Sequence, residues 1–239
     1  MRLAIISDLH GNLTALEAVI SDLRETSPDL VLHGGDLAAG GARPAEVVDR
    51  VHALGWNGVL GNTDEMLFRP ESLAEFAARL PHLQKLFDVI AEMAAFTREA
   101  LGAERITWLK TLPMAQTSGP LALVHASPAS TWLSPGAKAN DDELDSTYQQ
   151  LGSQITVYGH IHHPYVRQVG ERTVANSGSV SLSYDGDTRA SYLLVDDDVP
   201  SIRRVDYDLT AEVRTLKASG IPHAEWVIQS LERASFVEP

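Results

Sequence analysis

Short apolar runs followed by polar clusters recur along the first part of the chain. Residues 2–6 form a run long enough only for a buried strand, and residues 29–33 and 58–60 repeat the pattern. Between these runs, apolar residues three and four positions apart predict helices that begin near Leu13 and Pro44. Strand, polar cluster and helix therefore alternate, which is typical of a layered α/β domain.

The segment of residues 66–112 interrupts this alternation. It is rich in Ala, Leu, Glu and Arg, and it predicts two or three helices that are interrupted near Pro81 and Gly102. We expect this helical excursion to lie at the mouth of the functional site. Strands return at residues 121–124, 155–158, 191–195 and 202–207, and two helices are predicted over residues 209–234. Because the excursion is short for a core of its own, we expect a single domain over residues 1–239.

The polar clusters carry the candidate chemistry. Five predicted strand ends each present a carboxylate, an amide or an imidazole, and ligands of open α/β sheets bind beyond the carboxyl ends of strands. The side chains concerned are those of Asp8, His10, Asp36, Asn62, His125, His160 and His162. Oxygen and imidazole ligands suit divalent metal ions.

The composition of the chain limits the ligands and partners that it can bind. The chain has 239 residues and no cysteine, which excludes disulfides and thiolate metal sites, so a metal must use N and O ligands. The formal net charge of -13 argues against binding a nucleic-acid duplex or an anionic membrane, although bound metal ions can still attract a phosphate substrate locally. No apolar run approaches 18 residues and no signal sequence is recognisable, so a cytoplasmic location is expected.

The number of candidate ligands points to more than one metal ion. Two carboxylates, one amide and four imidazoles exceed what a single ion can use while keeping a position for substrate. Two ions about 3.5–4 Å apart that share one carboxylate could use them all, and such pairs clamp a phosphoryl group during displacement.

The motifs SDLHGN, GGDL, GNTD, VHAS and GHIH occur in this order. The order resembles that of the calcineurin-like metallophosphoesterases, and the resemblance extends over residues 5–195. A late turn, NSGSV at residues 176–180, and the following DGDTRASY at residues 185–192 resemble the small bacterial phosphodiesterase branch of that family.

The resemblance implies a four-layer α-β-β-α sandwich of two mixed sheets that holds two divalent metal ions. The first ion would be bound by Asp8, His10, Asp36 and His162, and the second by Asp36, Asn62, His125 and His160. Mn is favoured, with Fe, Ni, Zn and Co open. The implied activity is hydrolysis of a small phosphodiester or nucleotide-like substrate, in which a hydroxide that bridges the metal ions attacks phosphorus.

Two positions depart from the family pattern. Thr63 stands where many family phosphatases carry a His that assists the leaving group, and a hydroxyl is a poor general acid. We therefore expect either esters with good leaving groups or a general acid supplied from elsewhere in the site. Ser177 replaces the usual Pro of the late turn, which questions the rigidity of that loop. Asp64 is assigned to the catalytic set with Asp36, Asn62 and His125, either as a helix cap or as a residue that orients a ligand.

The sequence also allows functions other than a phosphodiesterase. A phosphomonoesterase or protein phosphatase would use the same ligands, and a non-catalytic scaffold on the same fold would use none. The helices at residues 66–112 or the C-terminal pair could bury a dimer face, but packing within one chain predicts the same apolar pattern, so the oligomeric state stays undecided.

Overall fold

The computed structural model describes all 239 residues and contains two five-stranded sheets with helices on their outer sides. The strands are β1 (Leu3–Ile6), β2 (Leu30–His33), β3 (Asn57–Gly58), β4 (Ala115–Ser118), β5 (Leu121–Val124), β6 (Ile155–Tyr158), β7 (Tyr165–Val169), β8 (Arg172–Asn176), β9 (Ala190–Asp196) and β10 (Val199–Val205). The helices are α1 (Leu13–Thr26), α2 (Pro44–Ala53), α3 (Asn62–Phe68), α4 (Glu71–Ala77), α5 (Gln84–Leu109), α6 (Asp141–Tyr148), α7 (Leu209–Ser219) and α8 (Ala224–Arg233). Short 3₁₀ turns span Pro81–Leu83 and Gln149–Leu151.

Both sheets are mixed. The first has the order β10-β9-β1-β2-β3, in which β1, β2 and β3 are parallel, β9 is antiparallel to β1, and β10 is antiparallel to β9. The second has the order β4-β5-β6-β8-β7, in which β5, β6 and β8 are parallel. The predicted four-layer α/β sandwich is confirmed.

The alternation of side chains along β1 shows how the layers pack. Leu3 and Ile5 lie in the core between the two sheets, together with residues of β2, β5, β6 and β9. Ala4 and Ile6 point the other way and pack under helices α1, α2 and α5. Because successive strand residues face opposite sides, one fully buried strand supplies both cores.

Side-chain caps and a glycine set the helix limits. The Asn12 side chain accepts a hydrogen bond from the Ala15 N–H at 2.9 Å and caps α1, and Asp208 caps α7 in the same way through Ala211 at 2.8 Å. Helix α5 is broken at Gly102, whose φ of +68° lies outside the helical region. None of the helices combines the length and the apolar character needed to span a bilayer.

Several strands differ from the sequence-based prediction. The last strand, predicted at residues 202–207, covers Val199–Val205. The third strand, predicted at residues 58–60, covers only Asn57–Gly58, because the Leu60 N–H bonds to the Pro113 carbonyl at 2.8 Å instead of continuing the ladder. Strand β4 was not predicted. Its residues, AQTS, have no apolar alternation, and they form an antiparallel edge strand only through pairing with β5.

Candidate metal centre and adjoining cleft

The carboxyl ends of the central strands of both sheets meet at one edge of the sandwich. Strand β1 leads into Asp8 and His10, β2 into Asp36, and the short β3 into Asn62 at the start of α3. The second sheet contributes His125 after β5 and His160 and His162 after β6. The structure thus brings together all seven side chains that the sequence predicted as ligands, from two separate sheets.

Five of these seven residues have a left-handed backbone. The φ angles are +57° for Asp8, +45° for His10, +54° for Asp36, +65° for His160 and +57° for His162. These five make up half of the ten non-glycine residues with positive φ in the chain. Such conformations are costly for residues with a Cβ, and their concentration at one place is typical of a functional site.

The first group of donor atoms converges on the Asp8 side. His162 Nε2 lies 3.2 Å from Asp8 Oδ1 and 3.2 Å from His10 Nε2, and His10 Nε2 lies 3.8 Å from Asp36 Oδ2. Ligand atoms bound about 2.1 Å from one ion stand about 3.0–3.5 Å apart, so the two shorter separations suit a shared cation.

The second group lies on the opposite side of Asp36. Asn62 Oδ1 is 2.8 Å from His125 Nε2 and 2.9 Å from His160 Nδ1, and His125 Nε2 is 3.5 Å from Asp36 Oδ1. The two oxygens of Asp36 therefore face different groups. By distance the Asp8 carboxylate also falls with Asp36 and His125, so it borders both groups.

Backbone carbonyls determine which ring nitrogen each histidine presents. The Nδ1–H groups of His10, His125 and His162 donate to the carbonyls of Ala39, Gly34 and Leu182, at 2.7, 2.7 and 2.6 Å respectively. In the neutral ring Nε2 is then the unprotonated nitrogen, and it is turned into the centre, which is the arrangement of metal-binding imidazoles.

The donor set therefore fits divalent cations. When the rings are neutral, His10 Nε2 and His162 Nε2 present lone pairs to each other at 3.2 Å, and His125 Nε2 and Asn62 Oδ1 do so at 2.8 Å. Such contacts repel unless a cation lies among them, and buried imidazole and carboxylate ligands of this kind suit first-row metal ions.

The electrostatics of the centre favour the ligand forms of two side chains. Burial would raise the pKa of Asp8, but facing His162, with His125 and His10, lowers it, so the carboxylate is ionised. Burial, reinforced by neighbouring His125, lowers the pKa of His160 to about 4, so its ring is neutral. Burial acts in the same direction on His125, but Asp36 and Asp8 outweigh it and raise its pKa. The centre thus attracts positive charge.

Asp64 is fully buried and makes backbone hydrogen bonds. Its carboxylate accepts the Leu37 N–H at 3.0 Å and the Gly61 N–H at 3.4 Å, which caps α3 and fixes the turn that carries Asp36. Burial and the charge of Asp36 raise the pKa of Asp64 to about 7. Of the two roles considered for Asp64, the structure contains the helix cap, and it orients the Asp36 turn and not a histidine ring.

The turn at residues 176–180 supports Asp8 from the second sheet. Ser179 Oγ donates to the Asp8 carbonyl at 2.8 Å, and Asn176 Nδ2 donates to the Gly159 carbonyl at 2.6 Å. Ser177 is fully buried and its N–H donates to the Tyr158 carbonyl at 3.1 Å. Proline could not make that bond, so the departure at Ser177 adds a backbone contact and the loop is held firmly.

A cleft of about 380 Å³ opens onto the donor atoms, and sequence reasoning missed most of its walls. Eleven of its nineteen lining residues are hydrophobic, so the chemistry lies at the bottom of an apolar recess. No local motif marks these residues, because an apolar side chain at a cleft has the same pattern as one in a core. The walls include Leu86, Ile90, Met93, Trp132, Tyr184, Trp226, Ser230 and Phe236.

Three arginines and one further histidine lie outside the cleft. Arg43, Arg167 and Arg189 form ion pairs with Glu212, Asp141 and Asp187. His163 turns its Nδ1 to the Ile161 carbonyl at 2.9 Å and does not line the cleft.

The chain is similar in sequence to known proteins. The sequence profile of the calcineurin-like phosphoesterase superfamily domain matches residues 1–198. An uncharacterized protein of Methanocaldococcus jannaschii is 28% identical over 254 residues, which cover 96% of each chain. Phosphodiesterase YfcE of Escherichia coli K12 is 27% identical over 224 residues, 89% of this chain and 97% of that protein.

A solved structure is similar to this chain over almost its whole length. The crystal structure of a metallophosphoesterase from Sphaerobacter thermophilus superposes with a TM-score of 0.77 at 26% sequence identity, covering 98% of this chain and 99% of that one. The similarity therefore includes the C-terminal helices α7 and α8, which lie beyond the residues that the family profile matches.

Proposed function

Since the chain belongs to the calcineurin-like phosphoesterase superfamily and is a phosphate-ester hydrolase, we propose that it is a phosphodiesterase that uses two divalent metal ions. The observation that carries this proposal is the pair of donor groups that share Asp36, whose two oxygens face opposite sides. A single-metal site would leave one of these groups unused.

The proposal assigns each donor to one ion. The first set is Asp8, His10, Asp36 and His162, and the second is Asp36, Asn62, His125 and His160. Metal ions bound in these sets would neutralise charge on the phosphoryl oxygens and lower the pKa of water near the phosphorus. Mn is the ion we favour among those that suit N and O ligands, and we retain the cytoplasm as the site of action.

The side chains of the chain itself hold and shield the reacting group. The carbonyl-bonded imidazoles and the capped turn of Asp36 keep the donors in place without side-chain rearrangement, as preorganised electrostatic catalysis requires. The apolar cleft excludes bulk water around the ester. In the net reaction a P–O bond forms to the oxygen of water, the bond to the leaving group breaks, and the leaving group ends with a proton.

Thr63 and the charge of the cleft favour diesters over monoesters. Thr63 lines the cleft and its Oγ1 has no hydrogen-bond partner, so a weakly acidic hydroxyl stands where a stronger acid would assist a poor leaving group. No Lys or Arg lines the cleft, so nothing but metal ions balances a phosphate dianion. A singly charged phosphodiester with a good leaving group suits both features.

The direct test compares two aryl esters. The protein is stripped of metal, reloaded with Mn, and assayed with bis(p-nitrophenyl) phosphate and with p-nitrophenyl phosphate. We expect metal-dependent turnover with a kcat/KM for the diester at least about tenfold above that for the monoester, because the monoester carries an extra uncompensated charge.

Two outcomes contradict the proposal. A preference for the monoester would indicate a phosphomonoesterase with a proton donor other than Thr63. Absence of turnover with either ester, while two metal ions per chain are measured by elemental analysis, would indicate that the fold serves as a scaffold.

A further inference from the structure

The walls of the cleft differ chemically from its floor. Donor side chains such as His10 and Asn62 form the floor, whereas Leu86, Ile90 and Met93 of α5 form one wall. Helix α8 and the C-terminal tail form another wall, through Trp226, Val227 and Phe236. Tyr184 connects the two regions, because its ring stacks on His162 at a centroid distance of 4.6 Å and meets Phe236 edge-on at 6.0 Å.

The cleft offers no cationic side chain to a charged substituent. Among its nineteen lining residues the titratable ones are Asp36, three histidines of the donor set and Tyr184, and there is no Lys or Arg. The whole chain adds repulsion for anions with its formal net charge of -13. A polyphosphate chain would lose its hydration here without gaining charge-assisted hydrogen bonds.

Three uncharged polar atoms on the walls lack a partner within the protein. Trp132 Nε1, Ser230 Oγ and Thr63 Oγ1 are buried and make no hydrogen bond. All three residues line the cleft, and Ser230 is 3% exposed. These atoms are shielded from solvent by the surrounding side chains, so the surface that the recess presents to a ligand is mainly apolar, which suits an uncharged organic group.

We propose that this cleft binds an uncharged aromatic substituent of the phosphodiester, of aryl or nucleobase type, next to the phosphate. The inference rests on the proposed function and adds a substrate class to it. Tyr184, Trp226 and Phe236 supply aromatic surfaces, and Trp132 lines the same cleft. Dinucleoside polyphosphates, whose linking group is a charged chain, are disfavoured.

The segment that forms this pocket is partly outside the family profile. The profile ends at residue 198, while Trp226, Ser230 and Phe236 lie beyond it. Trp226 is anchored there, because its Nε1–H donates to the Val237 carbonyl at 2.6 Å and so ties the tail to α8. The metal-binding motifs thus all lie within the profile, whereas part of the pocket that selects the substituent lies beyond it.

The test uses binding as well as turnover. Calorimetric titration of the Mn-loaded protein with diphenyl phosphate, dimethyl phosphate and inorganic tripolyphosphate measures whether the aromatic groups add affinity at equal phosphate charge. Turnover of bis(p-nitrophenyl) phosphate is compared with that of methyl p-nitrophenyl phosphate, which releases the same leaving group. We expect diphenyl phosphate to bind at least about tenfold more tightly than dimethyl phosphate, because ring surface is buried.

Two variants locate the effect. Phe236→Ala removes an aromatic wall residue that is 47% exposed, so the core is unaffected, and Val237→Ala is its control in the same tail. Ile90→Arg places a cation in the cleft, and Ala91→Arg places the same cation on the exposed side of α5. We expect Phe236→Ala to lower the diphenyl-to-dimethyl affinity ratio about tenfold, and Ile90→Arg to shift preference toward tripolyphosphate.

The outcomes separate this inference from the proposed function. Equal binding of diphenyl and dimethyl phosphate, or equal losses in Phe236→Ala and Val237→Ala, would overturn the aromatic pocket even if both diesters are hydrolysed. A marked preference for diphenyl phosphate that the cleft variants abolish would support the pocket even if neither diester turns over, and in that case the proposed activity alone would fail.

Discussion

At the scale of single residues, the centre depends on how Asp36 is held. Its backbone is left-handed, it follows two glycines, and the Asp64 cap fixes the next N–H. The Thr63 N–H donates to Asp36 Oδ1 at 2.9 Å, so the carboxylate is also anchored from α3. Local strain at Asp36 is compensated by these hydrogen bonds, which is how functional sites retain unfavourable backbone conformations.

Asp36→Asn tests the shared carboxylate directly. The amide keeps the size and the Thr63 hydrogen bond but cannot supply a negatively charged oxygen to both groups. We expect kcat/KM for bis(p-nitrophenyl) phosphate to fall by at least about 10³-fold, because metal-based charge stabilisation contributes several kcal/mol. Asp142→Asn, on the exposed side of α6, serves as the control, and a folded Asp36→Asn protein with a tenth of the normal activity would contradict the assignment.

Gly61→Ala tests how tightly Asp36 is packed. A Cβ at position 61 would lie 2.1 Å from Asp36 Oδ1 and 2.3 Å from its backbone nitrogen, while the φ of -92° suits any residue. The methyl group must therefore displace Asp36, and we expect activity and bound metal to fall together, with activity down about 10²-fold or more. Gly136→Ala meets nothing within 4 Å and should have no effect, so equal activity in the two variants would show that Asp36 can shift freely.

At the scale of elements, β2 carries a histidine with no role in the centre. His33 is fully buried in the strand and neither ring nitrogen has a hydrogen-bond partner. It packs against Trp108, with ring centroids 6.3 Å apart. Burial alone lowers the pKa of His33 to about 4, so the ring is neutral in the folded protein.

This histidine makes stability depend on pH. Between pH 6.5 and 4 the unfolded chain takes up a proton at His33 and the folded chain does not, so the free energy of unfolding decreases as the pH falls through this window. By pH 5 the loss relative to pH 7 amounts to about 2 kcal/mol. In His33→Leu this contribution should be absent.

Urea unfolding of the two proteins at pH 7 and pH 5 isolates the effect. Because each protein is compared with itself at the two pH values, any packing change caused by leucine cancels. Wild type should lose about 2 kcal/mol more than the variant on acidification. Equal losses would show that His33 is protonated, or paired, in the folded state.

The elements also show what the sequence could reveal and what it could not. Strands β5 and β6 have the predicted limits, and each donor from Asp8 to His162 lies within four residues of a strand end, so local motifs were enough to find it. Strand β4 and the aromatic walls of the cleft depend on contacts distant in the chain. Trp132 and Phe236, for instance, are distant in the chain and line the same cleft, and no local pattern encodes that arrangement.

At the scale of the whole molecule, both donor groups connect the two sheets. Asp8 and His10 follow β1 of the first sheet and face His162 of the second. Asn62 follows β3 of the first sheet and faces His125 and His160 of the second. Bound metal ions would therefore join the sheets at the edge where the sheet-to-sheet core, made of residues such as Ile5 and Val157, ends.

Metal binding should consequently stabilise the entire domain. An ion that binds only the folded state adds about 4 kcal/mol at a concentration 1,000-fold above its Kd. For a chain of 239 residues this corresponds to a rise in Tm of about 10 °C. Differential scanning calorimetry of the metal-free protein, without and with Mn, measures this rise.

Variants on either sheet test whether metal binding at the centre causes the rise in Tm. Asp36→Asn removes the donor that both sets share and should abolish most of the rise in Tm, whereas His125→Asn removes a donor of the second set only and should lower the rise by a smaller amount. Asp142→Asn should keep the full rise. If all three variants were stabilised equally by Mn, the ion would bind elsewhere on this acidic chain, and the two sheets would be held together by their apolar core alone.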